Sequence, residues 1–65
     1  MKRYLVRVSH FSFYKEGDTL IVRSEEHPEF EALFDWKEKY DGCTRKELTR
    51  VLYEEYYTEL VSGTA

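Results

Sequence analysis

The chain has 65 residues, a formal net charge of −3 and one cysteine. That length suits one domain and excludes two. A single cysteine excludes the dense, even cysteine set of small secreted scaffolds, which points to a reducing compartment and a cytoplasmic setting, the host cytoplasm if the chain is viral.

No apolar run approaches the ~20 residues that a membrane span requires, and no segment has the pattern of a signal peptide. The expectation is a soluble protein that makes no membrane contact. Residues 1–24 carry five basic and two acidic side chains, residues 25–41 two basic and seven acidic, and residues 42–65 three basic and four acidic. Four Phe, one Trp and six Tyr are a heavy load for so small a core. Some of these rings must reach the surface, where Tyr and Trp favour interfaces.

Residues 2–14 read as one long strand. Tyr4, Val6 and Val8 alternate with Arg3, Arg7 and Ser9, the period-2 signal of a half-buried strand. Leu5, Phe11 and Phe13 fall out of phase, so either the second face is also partly apolar or a bulge near Ser9-His10 shifts the register. Lys15 to Asp18 form a turn about Glu16-Gly17, and Thr19 to Arg23 form a second strand rich in β-branched residues. That closure pairs Phe13 with Leu20 and Phe11 with Val22, leaving Arg3 to Val8 as an overhang.

Pro28 suits the first turn of a helix, and Phe30, Leu33, Phe34 and Tyr40 fall on one face at helical spacing, with Trp36 at its border. Asp41-Gly42 ends that helix. Thr44-Arg45-Lys46-Glu47 matches a capping box and predicts a second helix from about Arg45 to Leu60. Its ridge is Leu48, Leu52, Tyr56 and Leu60, with Val51 alongside. Residues 62–65 read as a frayed tail after a single α+β domain, residues 1–61. The expected architecture is α+β, a β-hairpin followed by two antiparallel helices (ββαα).

Catalysis needs a nucleophile, base or metal in a cleft. His10, His27 and Cys43 lie far apart in sequence and match neither a nucleophilic pair nor a zinc pattern. No glycine-rich phosphate loop or EF-hand loop is present. The expectation is no catalytic residue, no metal and no cofactor.

Residues 19–57 resemble a ribbon–helix–helix protein. Thr19 to Arg23 stand as the strand, Asp41-Gly42 as the turn, and Thr44-Arg45-Lys46-Glu47-Leu48 as the opening of the second helix, with Arg50 and Tyr56 also fitting. The resemblance implies a dimer whose paired strands enter the DNA major groove while the start of the second helix contacts phosphate. Thr19, Ile21 and Arg23 would then face DNA, with Thr44 and Arg45 on its backbone. A helix-turn-helix is a related reading, with Arg45, Lys46 and Arg50 on the reading helix.

The reading the sequence favours is different. Tyr53 and Tyr57 lie beside the buried ridge, near Arg50 and Glu54, and with Trp36 they have the composition of a protein-binding hot spot with a polar rim. Size and composition are similar to those of small bacteriophage host-takeover and anti-defence proteins. The first expectation is therefore a non-enzymatic protein-binding module, an inhibitor or adaptor acting on a larger protein. A DNA-binding regulator is the second and a homo-oligomeric structural subunit the third.

Overall fold

The computed structural model describes residues 1–64. Its elements in chain order are β1 (Arg3–Val8), β2 (Phe11–Glu16), β3 (Thr19–Ser24), β4 (Glu31–Asp35), a 3-10 turn (Glu38–Tyr40) and α1 (Arg45–Thr64). The strands form one antiparallel sheet in the order β1-β2-β3-β4, and the helix covers one of its faces.

The first expected strand is in fact two. The chain doubles back at Ser9-His10, where Val8 pairs with Phe11. Ser9 has φ +56° and Gly17 φ +59°. Each is the first central residue of a two-residue hairpin loop, and positive φ at that position alone is the sign pattern of a type II′ turn. Glycine adopts it freely; serine does so against its Cβ. The overhang of Arg3 to Val8 is thus paired against β2. A bulge does occur in β1, between Tyr4 and Val6, and it sends Tyr4 to one face and Val6 to the other.

The second hairpin turns at Gly17-Asp18, because Glu16 pairs with Thr19. Phe13 therefore meets Val22 and Lys15 meets Leu20. The expected pairs of Phe13 with Leu20 and Phe11 with Val22 slide by two positions. A slip of two keeps every side chain on its own face, so the buried set is unchanged.

The expected ββαα order is overturned between Pro28 and Tyr40. Residues Glu31–Asp35 are the fourth strand, paired with β3 from Thr19–Asp35 to Arg23–Glu31. Phe30, Ala32, Phe34 and Trp36 pack against the core, while Glu31, Leu33 and Asp35 point away. Pro28 lies in the loop before this strand and not in a helix. The buried Ser24 hydroxyl accepts hydrogen bonds from the amides of Glu26 and His27, both 3.2 Å. The Phe30 amide then donates to the His27 carbonyl at 2.9 Å, placing Pro28-Glu29 in the middle of a turn, a position proline pre-organises.

The remaining helix follows the expected chemistry. The Glu47 amide donates to the Thr44 hydroxyl at 3.2 Å, and the Thr44 amide donates to the Glu47 carboxylate at 3.0 Å. This reciprocal pair satisfies two of the amides that a helix start leaves open. Leu48, Leu52, Tyr56 and Leu60 are buried against Val6, Val8, Phe11, Phe13, Leu20 and Val22. Truncating the fully buried Leu52 to alanine removes contacts worth about 2–5 kcal/mol. Ser62 to Thr64, expected as a frayed tail, continue the helix beyond Leu60; Ala65 lies outside the described residues.

Candidate protein-binding surface

Tyr53 and Tyr57 stand one helical turn apart, the spacing at which side chains on a helix meet. Their rings are stacked, with centroids 4.7 Å apart and planes 21° from parallel. The two are not equivalent. Tyr57 is half-buried and presents an 82° edge contact to Phe11, which is itself fully buried. Tyr53 lies on the outer side and is 51% exposed. Phe11 also meets Phe30 at 6.3 Å. Core rings thus anchor Tyr57, and Tyr57 supports Tyr53.

Arg50 and Glu54 sit beside this pair. The Arg50 Nε donates to Glu54 at 3.1 Å, an i,i+4 ion pair open to solvent. Such a pair contributes little stability, but it places one charge of each sign at the border of the aromatic surface. The structure thus brings together Arg50, Tyr53, Glu54 and Tyr57. Trp36 lies elsewhere. Its ring meets Tyr40 at 5.1 Å, its Nε1 donates to Asp41 at 3.1 Å, and Lys15 lies 5.0 Å over its face. None of these partners belongs to the tyrosine pair, so Trp36 is a support of the 3-10 turn.

The five residues of the DNA reading divide into two places. Thr19, Ile21 and Arg23 share the open face of β3. That strand is hydrogen-bonded to β2 on one edge and β4 on the other, so neither edge is free for a second copy's strand. The Thr44 hydroxyl is used in the helix cap. Arg45 is exposed, its guanidinium 5.9 Å from the Tyr4 ring centre, at the β1 end of the molecule.

Sequence reasoning missed a polar cluster beneath the helix. The hydroxyls of Tyr40 and Tyr56 lie 2.8 Å apart, and Tyr40 also donates to Glu55 at 2.8 Å. Lys37 donates to the same carboxylate at 3.3 Å, and Lys39 completes the group. Burial, then the hydrogen bonds from Tyr56 and to Glu55, push the Tyr40 phenol well above its ordinary 10.0. At Glu55, desolvation pushes the carboxyl up, but the bonds from Lys39, Tyr40 and Lys37 outweigh it and hold the group below 4.5. Each shift favours the protonation state that the cluster needs at neutral pH. The one signal is Glu55 next to Tyr56 of the ridge, but their partner Tyr40 falls in the expected first helix, which does not form.

A second missed feature is an apolar row on the open sheet face, Tyr4, Tyr14, Ile21 and Leu33. Cys43 is a free thiol whose Sγ donates to the Lys39 carbonyl at 3.3 Å. Among the described residues, no group of three potential ligands is placed to hold a metal ion, and no helix is long and apolar enough to cross a membrane. Comparison with protein-family models, curated proteins and solved structures gives no match.

Proposed function

We propose that the chain is a non-enzymatic protein-binding module, an inhibitor or adaptor of a larger protein, working through the flank of α1 that carries Tyr53 and Tyr57. The observation that supports this reading is the stacked pair itself, one ring anchored on Phe11 and the other half in solvent. A pre-positioned tyrosine loses little entropy on binding and offers much area, which is why such rings concentrate in hot spots. The Arg50–Glu54 pair supplies the polar rim. The acidic stretch of residues 25–41 would steer a basic partner, an effect that fades with salt.

The competing reading, a DNA-binding regulator, depends on Arg23 and Arg45. The test compares Tyr53→Ala and Tyr57→Ala with Arg23→Ala and Arg45→Ala. The readouts are proximity capture from a host lysate and titration of duplex DNA at two salt concentrations. A hot spot predicts that the tyrosine variants lose about 2 kcal/mol of binding to the captured protein, roughly thirtyfold. Silent tyrosines, together with duplex binding that needs the arginines and falls steeply with salt, would replace this reading with the regulator.

A further inference from the structure

The helix covers one face of the sheet; the other face is open and has a pattern of its own. Tyr4 pairs with Tyr14, Tyr14 with Ile21, and Ile21 with Leu33, so four apolar side chains cross all four strands in one registered row. None of them belongs to the core cluster. Ile21 in the middle is only 6% exposed, whereas the ends of the row, Tyr4 and Leu33, are 46% and 62% exposed. The rings of Tyr4 and Tyr14 meet edge-on at 5.7 Å.

Charged rows flank it on both sides. One runs Arg7, Ser12, Arg23, Glu31 through the register. The other runs Glu16, Thr19, Asp35; the Lys2 ammonium lies 5.0 Å over the Tyr14 ring, in a cleft it shares with Ser12, Arg23 and Glu25. The β1 edge of the face is therefore basic, with Lys2 and Arg7, and the β4 edge acidic, with Glu31 and Asp35. Such a face is complementary to itself in one orientation. A two-fold axis parallel to the strands, between β2 and β3, lays β1 of one copy over β4 of the other. Arg7 then meets Glu31 of the second copy. Arg23 and Glu16 face hydroxyls, Arg23 opposite Ser12 and Glu16 opposite Thr19. A two-fold axis across the strands would instead bring Glu31 to Asp35, like charge against like.

We propose that the open sheet face binds a second copy of this chain, with the two-fold axis along the strands, Tyr4 against Leu33 of the second copy and Tyr14 against its Ile21. The contact is isologous, as most closed dimers are, and it packs two sheets nearly aligned, the usual arrangement for stacked sheets. Arg7 already bonds Glu25 of its own chain at 3.2 Å; a guanidinium has donors enough to serve both carboxylates. Strands of about 20 Å, spaced about 4.8 Å apart, give a footprint of roughly 400 Å² per copy. That is about 800 Å² in total, below the range of stable complexes and within that of weak, transient contacts, so the dimer is a weak one. Tyr53 and Tyr57 are on the helix, the opposite layer, so the dimer carries two outward tyrosine pairs.

Sedimentation equilibrium of the full chain from micromolar to millimolar concentration tests this. The expected mass rises from 7.9 kDa toward its double with concentration. Leu33→Glu, at a position that is mostly solvent in the single chain, should keep the circular dichroism spectrum and weaken the dimer at least about tenfold. The axis is read by disulfide trapping in a Cys43→Ser background. A mixture of Tyr4→Cys and Leu33→Cys chains should cross-link, and neither variant should do so alone. A chain that stays monomeric throughout, a dimer indifferent to Leu33→Glu, or cross-linking by each cysteine variant alone would overturn the proposal.

Discussion

The hydroxyls of Tyr40 and Tyr56 lie 2.8 Å apart and are both buried, joining the 3-10 turn to the middle of α1. Tyr40 comes from the link that leaves the sheet, and Tyr56 from the ridge that covers it. The bond therefore ties the two layers at the point where the chain passes between them. Glu55, Lys37 and Lys39 extend it to the surface.

Tyr40→Phe should destabilise the fold by about 1–2 kcal/mol. It keeps the ring and its packing but leaves the buried Tyr56 hydroxyl without this partner, and an unpaired buried group costs about that much, while Glu55 keeps its bonds from Lys37 and Lys39. Urea unfolding measures it, as a lower midpoint with an unchanged slope. A midpoint equal to that of the parent chain would show that water or Lys37 replaces the lost donor.

The same cluster sets the pH range of stability. Glu55 is held below 4.5 in the folded chain, so its contribution is complete above the unfolded value and is lost as pH falls through the folded one. Tyr40 is raised above 10.0, so its contribution is complete below pH 10.0 and is lost as pH climbs beyond it. Stability should be flat between these limits and decline on both sides. Glu55→Gln should lessen the acid decline, with the rest kept by Glu47, which its bonds from Thr44 also hold low, and Tyr40→Phe should lessen the alkaline one, read from unfolding midpoints along a pH series. An alkaline decline that survives Tyr40→Phe intact would assign it to other groups.

Ser9 and Gly17 occupy equivalent places in successive hairpins, both with positive φ. Ser9→Gly should stabilise the chain by roughly 0.5–1 kcal/mol, since relief of the left-handed strain exceeds the added freedom of the unfolded chain. Gly17→Ala should destabilise it by about 1 kcal/mol although no atom lies within 4 Å of the added methyl, because the penalty is conformational and not a clash. Thermal unfolding of the two variants should move in opposite directions. A shift of the same sign in both would remove the distinction between the turns.

What could be read before the structure was local. The capping box at Thr44 and Glu47, and the ridge from Leu48 to Leu60, each lie within one helix, and both follow from spacing. The stack of Tyr53 on Tyr57 follows from the same periodicity. Residues Phe30 to Trp36 could not be assigned that way. Their even positions turn inward at period two, but Leu33, apolar and 62% exposed, completes a helical template with Phe30 and Phe34. The choice between the two patterns is made by pairing with β3, which a sequence window does not contain. The neighbours of Trp36 are not legible in the sequence for the same reason, since they depend on where β4 ends. The open-face row escaped notice because its four members come from four different strands.

Each strand pairs only with its neighbours in sequence, and α1 follows them all and meets β1. As the polypeptide leaves the ribosome, every hairpin can close over a loop of a few residues, the inexpensive kind of closure. The hydrophobic side of the finished meander must then stay bare until residues 48–60 have been translated. During that interval the nascent sheet is the species most open to aggregation or chaperone capture, and the rate at which α1 docks decides how long the exposure lasts.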